Sequence, residues 1–255
     1  MEEIEIIERK KRDIQGAYVI DGFPSVGLVG SISANYLVSF LGLEEIAVMD
    51  SASFPAIALI RSGLAHSPVR IYAGQKADDK VVAFVSEFPP PPNLAKPLAK
   101  TMMDWIEDKG CQMLISPEGL VMESKTIEQE AGQALPENKI FGIGSTPKAM
   151  DILKRNGIAA FENGVIVGLA GVLLNEGVNR DFDVVVLLSE AHAEYPDARA
   201  AAAVTSAIDK MLLHTELDTK PLLVEAAGIE ERLKEIYKKA GKKDELVKMR
   251  SIMYG

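Results

Sequence analysis

Hydrophobic residues along the chain follow two alternating patterns. Short apolar runs, typical of buried strands, are separated by segments whose apolar residues recur every three or four positions, as on one face of a helix. The runs predict strands at residues 17–20, 45–49, 56–60, 69–73, 81–88, 111–115, 140–143 and 183–188. Helices are predicted at residues 94–109, 125–135, 147–157 and 198–214, in addition to two helices that contain glycine pairs. This alternation predicts an α/β fold around a largely parallel sheet, and the closely spaced early strands indicate that the sheet is mixed.

The two glycine-bearing helices share one spacing. Gly27 and Gly30 follow Ser25, which we expect to cap the first helix, and Gly168 and Gly171 repeat the spacing in the second. A glycine in a helix interior costs about 1 kcal/mol relative to alanine. We therefore expect the backbone at these glycines to lie against a strand or another helix, where a Cβ atom would not fit. We interpret both as inner helices of one sheet-based core.

The last part of the chain differs in composition from the rest. Residues 217–255 are charged, contain no predicted strand and are helical in pattern, with a break at Gly241. Residues 228–255 carry eight basic side chains against five acidic ones, although the whole chain has a net charge of −9. We therefore predict an α/β domain at residues 1–216 and a helical extension at residues 217–255. The basic extension is either a solvated helical face or an electrostatically guided contact with a partner.

Composition limits the possible classes of function. The negative net charge argues against nucleic acid as the main partner, because phosphate binding needs a basic face. Cys111 is the only cysteine, which excludes an intramolecular disulfide and fits a reducing compartment. The chain does not open with the pattern of a secretory signal, and its longest apolar run, residues 165–174, is too short to cross a bilayer. We expect a cytoplasmic protein with no membrane partner.

Few residues suggest catalysis or metal binding. Residues 22–30 lie at the junction of a strand, a turn and a helix, where phosphate-binding loops occur, but their glycines match neither a P-loop nor a dinucleotide fingerprint. A metal site would use His192 with Glu190 or Glu194, at the carboxyl edge of the sheet. A solvated loop in which Asp197 caps the next helix is favoured, because no second histidine or cysteine lies nearby. We predict no catalytic residues, no metal and no cofactor.

The C-terminal tripeptide is better suited to binding a partner. The chain ends with Met253, Tyr254 and Gly255. A methionine and a tyrosine ring can fill an apolar groove, the phenol can hydrogen-bond, and the terminal carboxylate can pair with a lysine. The alternative is that Tyr254 simply covers its own domain.

Four segments together resemble a known family. They are D-G-F-P-S-V-G-L-V-G-S-I-S-A-N-Y-L at residues 21–37, V-V-A-F-V-S-E-F at 81–88, E-N-G-V-I-V-G-L-A-G-V-L-L at 162–174 and Y-P-D-A-R-A-A-A at 195–202. In order and spacing they resemble the archaeal proteasome assembly chaperone family of the second-subunit type, over residues 17–213.

The resemblance implies a phosphorylase-like, three-layer α/β sandwich that assembles into homo-oligomers and is not an established enzyme. Some members of the family carry a C-terminal hydrophobic-Tyr-X tripeptide that inserts between α subunits of the proteasome core particle. Met253, Tyr254 and Gly255 match that tripeptide residue by residue.

The leading hypothesis is thus a non-enzymatic chaperone or activator that docks its C-termini on the proteasome α ring. The alternative is a nucleoside- or phosphate-handling hydrolase or phosphorylase on a similar fold, which would use Asp21, Ser25, Glu190 and His192. A third possibility is an oligomeric scaffold for another partner.

Overall fold

The chain folds around one large mixed sheet. The computed structural model describes residues 4–76, 79–121, 139–193 and 195–224. Its strands are β1 Glu5–Glu8, β2 Tyr18–Gly22, β3 Glu44–Asp50, β4 Leu59–Arg61, β5 Leu64–His66, β6 Val69–Lys76, β7 Asp79–Ser86, β8 Met113–Val121, β9 Ile140–Gly144, β10 Ala159–Ala160 and β11 Val184–Ala191. Its α-helices are α1 Val29–Leu41, α2 Ala95–Asp108, α3 Pro147–Arg155, α4 Gly168–Arg180 and α5 Ala198–Ile208. A 3₁₀ turn, Val26–Leu28, precedes α1, and a π-helical turn, Asp209–Leu213, continues α5.

Parallel strands form the centre of this sheet. Nine strands pair in the order β1-β3-β6-β7-β2-β8-β11-β9-β10. The central strands β7, β2, β8 and β11 are parallel to one another. Antiparallel pairs flank them, between β1, β3, β6 and β7 on one side and between β11 and β9 on the other. The predicted α/β fold with a mixed sheet is therefore confirmed.

Helices cover both faces of the sheet and create two cores. On one face, Met102 of α2 and Leu173 of α4 pack in one cluster with Phe84 of β7. On the other face, Leu37 of α1 and Val204 of α5 belong to a second cluster, to which α3 also contributes. The three layers agree with the sandwich that the family resemblance implied, and the two glycine-bearing helices lie on opposite faces.

Some of the predicted element boundaries are wrong. The helix expected to follow Ser25 begins only at Val29, because Gly27 and Leu28 have φ values of 61° and 53°, which cannot continue a right-handed helix. Helix α2 begins at Ala95 with Leu94 in the N-cap position, so Asn93 is not its cap.

Two strands also differ from the prediction. Of the strand predicted at residues 56–60 only the end is formed, as β4, which pairs with β5 in a separate two-stranded sheet. Strand β1 was not predicted, because it is a largely exposed edge strand and its sequence E-I-I-E has no apolar run typical of a buried strand.

The C-terminal extension lies mostly outside the described residues. The predicted helix at residues 125–135 also lies outside them, so neither it nor the division at residue 217 is tested and both stay predictions. Within the described part, the chain passes the predicted division and places Leu222 in a buried position.

Candidate functional site

Polar side chains collect at the carboxyl edge of the central parallel strands. In sheets of this kind, that edge is where ligands usually bind. Asp21 lies near the end of β2, and Glu190 lies near the end of β11. Ser25 and His192 belong to the loops that follow these two strands. All four residues named for the enzymatic alternative thus lie at one edge of the sheet.

Asp21 is a buried carboxylate that holds the turn after β2. Its side chain is 2% exposed. Its Oδ1 accepts a hydrogen bond from the Phe23 backbone N–H at 3.1 Å, and its Oδ2 accepts one from Ser116 Oγ at 2.8 Å. Burial raises the pKa of Asp21 to about 6, although both hydrogen bonds act in the opposite direction. Both oxygens therefore have partners within the protein.

A second carboxyl group, Glu118, lies beside Asp21 on the adjacent strand β8. Burial, followed by the negative charge of Asp21, raises the pKa of Glu118 to about 8, while a hydrogen bond with Ser25 lowers it in part. At neutral pH Glu118 is therefore protonated and Asp21 is ionised. Chemically, the pair offers one neutral acid and one carboxylate side by side.

The turn that leads into α1 rests directly on β8. A Cβ atom added at Gly119 would lie 2.3 Å from the carbonyl oxygen of Val26. A Cβ atom added at Gly30 would lie 2.7 Å from the Phe23 carbonyl oxygen and 2.9 Å from that of Pro117. Real Cβ atoms do not approach backbone oxygens this closely, so both positions need glycine. Gly30 therefore has the close backbone contact that its position in a helix suggested.

His192 and Asp197 connect the loop after β11 to the same turn. His192 Nδ1 lies 2.8 Å from Asp197 Oδ2, and the backbone N–H of Asp197 donates to the Gly27 carbonyl oxygen at 2.7 Å. Asp197 Oδ1 also accepts from the Ala200 N–H at 3.0 Å, which confirms Asp197 as the N-cap of α5. Burial raises the pKa of Asp197, but hydrogen bonds from His192 and Ala200 outweigh it and hold that pKa below its usual value. The Tyr195 ring stacks on the His192 ring with the centroids 4.5 Å apart.

The second glycine pair opens α4 on the opposite face. Gly168 has a φ of 75°, a conformation that favours glycine, at the first position of the helix. A Cβ atom added at Gly171 would lie 2.3 Å from the carbonyl oxygen of Ile166. The close neighbour of Gly171 is thus the loop that leads into its own helix, whereas Gly30 also meets a strand.

Among the residues that the structure describes, no three His, Cys, Asp or Glu side chains come close enough together to hold a metal ion. The edge brings together two hydrogen-bonded pairs, Ser116 with Asp21 and Ser25 with Glu118, and places His192 with Asp197 in the adjoining loop. The predicted partner-binding residues Met253, Tyr254 and Gly255 lie outside the described residues, as does Glu194.

Sequence reasoning missed Glu118. The predicted strand stopped at Ile115 because S-P-E-G, residues 116–119, has the composition of a turn. In the structure β8 continues through Pro117 to Val121, which brings Glu118 opposite Leu188 of β11. The only signal was an acidic residue three positions after the apolar run, and the strand order is needed to know what this residue faces.

Comparison with known proteins identifies the family of this chain. The sequence profile of the PAC2 family matches residues 19–237. The chain belongs to the PAC2 family. This confirms the resemblance to proteasome assembly chaperones that the four sequence segments indicated. The chain is also 28% identical over 236 residues to an uncharacterised protein of Methanocaldococcus jannaschii, with 92% of each protein covered.

Two solved PAC2-like structures from Pyrococcus furiosus are similar to this chain almost from end to end. One is PbaA, an archaeal homologue of proteasome-assembly chaperone, with 28% identity, a TM-score of 0.77 and coverage of 95% of this chain and 100% of PbaA. The other is PbaB, an archaeal proteasome activator, with 25% identity, a TM-score of 0.79 and coverage of 93% of this chain and 100% of PbaB. In the described part of this PAC2 protein, no helix is both long enough and apolar enough to cross a membrane.

Proposed function

We propose that this protein is a proteasome assembly chaperone or activator that acts in the cytoplasm and has no enzymatic activity of its own. The observation that carries the proposal is the nearly full-length likeness to PbaA, an archaeal homologue of proteasome-assembly chaperone, and to PbaB, an archaeal proteasome activator. Membership of the PAC2 family supports the same assignment.

The proposed partner is the α ring of the proteasome core particle, and the proposed contact is the tripeptide Met253-Tyr254-Gly255. Inserted between α subunits, Met253 and the Tyr254 ring would fill an apolar pocket and the terminal carboxylate would pair with a basic side chain. The basic side chains in residues 228–255 give this part of the chain a charge opposite to that of the body.

The residues that lead into the C-terminal segment are attached to the α/β domain by hydrogen bonds and packing. Asp209 accepts hydrogen bonds from the backbone N–H groups of Thr215 at 2.8 Å and Leu217 at 3.0 Å. Further along, Tyr36 of α1 donates a hydrogen bond to the Asp218 carbonyl oxygen, and Leu222 is 4% exposed. The chain is therefore fastened to the α/β body as far as Leu222, before residues 225–255.

We propose that the protein acts as a homo-oligomer. Several C-termini on one assembly raise the effective concentration of each tail near the ring, so individually weak contacts give stable binding. This arrangement suits a tripeptide, whose own contact area is small.

The decisive experiment uses isolated core particle and three forms of the protein. The first is the full chain, the second lacks residues 253–255, and the third carries one extra alanine after Gly255. The third form keeps Met253 and Tyr254 but displaces the terminal carboxylate, so it tests the carboxylate separately from the two side chains. We expect the full chain to co-sediment with the core particle and to change its peptide hydrolysis, and both altered forms to lose these effects. Undiminished binding by the deletion would disprove the role of the tail.

The absence of catalysis is tested separately. Thermal unfolding is measured with nucleosides, inorganic phosphate and divalent cations at saturating concentrations. A ligand that binds the folded state at about 100 times its dissociation constant stabilises it by about 2.7 kcal/mol, which is a readily visible shift. We expect none of these compounds to raise the unfolding midpoint. A rise that Asp21→Asn abolishes would support the enzymatic alternative instead.

A further inference from the structure

The chain contains two Asn-Gly steps, which differ in their hydrogen bonds to the surrounding structure. Asn156-Gly157 follows the end of α3, and Asn163-Gly164 lies in the loop between β10 and α4. In an Asn-Gly step, the backbone nitrogen of the glycine can approach the side-chain carbonyl carbon of the asparagine with little steric hindrance, because glycine has no Cβ atom. The two steps therefore share the same intrinsic chemistry, and only their surroundings distinguish them.

At Asn156-Gly157 both reacting groups are held by hydrogen bonds. Asn156 Nδ2 donates to the Ile152 carbonyl oxygen at 2.9 Å. The Gly157 backbone N–H, which would be the nucleophile, donates to the Lys154 carbonyl oxygen at 3.1 Å. Reaction at this step requires both bonds to break and the end of α3 to open.

The Asn163-Gly164 step lacks the hydrogen bonds that hold Asn156-Gly157. Both residues are exposed. Within the described ranges, neither the Asn163 side chain nor the Gly164 N–H makes a hydrogen bond. A Cβ atom added at Gly164 would lie 2.3 Å from Cε1 of Phe161, so the aromatic ring packs where a side chain would otherwise be. A side chain at position 164 would have to displace the Phe161 ring, so packing favours glycine next to Asn163.

We propose that Asn163 is a site of spontaneous deamidation and that Asn156 is protected. The Gly164 backbone nitrogen loses its proton and attacks Cγ of Asn163, a C–N bond forms, the Cγ–Nδ2 bond breaks, and ammonia leaves. Water then opens the resulting succinimide. Cleavage of the bond from Cγ to the ring nitrogen gives aspartate, and cleavage of the bond from the backbone carbonyl carbon to that nitrogen gives isoaspartate. Water is the only co-reactant, and no oxidation or reduction occurs.

The product alters an exposed apolar segment. Val165 and Val167, which follow the reactive step, are 83% and 80% exposed. Deamidation places a new negative charge beside them, and isoaspartate also lengthens the backbone by one methylene just before α4. A partner that binds this loop through the two valines would therefore distinguish fresh protein from aged protein.

The test is peptide mapping by mass spectrometry of the full-length protein incubated at neutral pH, with isoaspartate detected by methylation with an isoaspartyl methyltransferase. We expect conversion at Asn163 to exceed conversion at Asn156 by at least about tenfold, the factor expected when two ordinary hydrogen bonds must first break. The same protein in urea is the control, because both steps should react at similar rates once unfolded. The variant Asn163→Gln should remove the methylation signal from the folded protein. Equal rates at the two sites in the folded protein would overturn the proposal, and so would a folded Asn163 that stays unmodified while the unfolded chain reacts.

Discussion

The substitution Glu118→Gln tests the paired carboxyl groups directly. Glutamine keeps the size of the side chain and its ability to hydrogen-bond Ser25, but it has no proton to lose. In the folded protein Glu118 keeps its proton up to about pH 8, whereas in the unfolded chain it loses it near its ordinary pKa. Between these pH values the folded state binds the extra proton, so the free energy of unfolding falls as the pH rises. The stabilisation is complete below the unfolded pKa and is lost as the pH passes the folded one.

The window from pH 6 to pH 8 isolates this effect. Asp21 follows the same rule, but its pKa of about 6 confines its contribution to lower pH. One carboxyl group contributes a slope of at most about 1.4 kcal/mol per pH unit, and this slope falls to half at the folded pKa. We therefore expect the wild type to lose about 2 kcal/mol relative to Glu118→Gln between pH 6 and pH 8. That is a large part of the 5 to 15 kcal/mol that stabilises a typical domain.

Urea unfolding at pH 6, 7 and 8 measures this difference, with tryptophan fluorescence as the signal. Trp105 is the only tryptophan in the chain, and it packs edge-to-face on Phe84 with the ring centroids 5.6 Å apart. Glu162→Gln, at an exposed loop position, is the matched control for the removal of one carboxyl group. If the wild type and Glu118→Gln lose stability in parallel over this range, the assignment of a protonated Glu118 is refuted.

Three further substitutions or reagents probe the same edge and the core beneath it. Gly30→Ala should destabilise the protein by about 1 to 3 kcal/mol despite the better helix propensity of alanine, because the new methyl group would meet two backbone oxygens. Denaturant unfolding midpoints measure this loss, and an unchanged midpoint would contradict the close approach. Asp197→Ala should lower the free energy of unfolding by about 1 to 2 kcal/mol. Asp197→Ser should lower it less, because serine keeps the cap of α5 and loses only the contact with His192. Equal losses of stability in the two variants would show that the cap contributes little. Cys111 should react very slowly with a thiol reagent at pH 8 and rapidly in urea, because burial raises its pKa to about 11; fast labelling of the folded protein would argue against that burial.

The central strands were predictable, while the strands at the sheet edge and the site were not. The strands predicted at residues 17–20, 81–88 and 183–188 contain continuous apolar runs because strands in the parallel centre are buried on both faces. The edge strand β1 has no such run, since one side of it faces solvent. The hydrogen bond between Ser116 and Asp21 joins residues that are 95 positions apart, and it depends on β2 lying between β7 and β8. No local pattern contains that strand order.

The glycines after β2 lie where phosphate-binding loops occur, although their spacing matches no such motif, and the structure gives a physical reason for them that involves no ligand. The turn Val26–Leu28 accepts contacts through its backbone: the Gly27 carbonyl oxygen receives the Asp197 N–H, and the Val26 carbonyl oxygen lies where a side chain at Gly119 would be. Small residues are needed wherever backbone meets backbone, so a packing junction and a phosphate loop have similar composition. Substitutions in this turn should therefore change the stability of the body before they change binding, whereas substitutions in the C-terminal tripeptide should change binding to the core particle and leave unfolding unaltered. A tail variant that unfolds more easily, or a turn variant that loses the core particle at full stability, would show that the two regions are coupled.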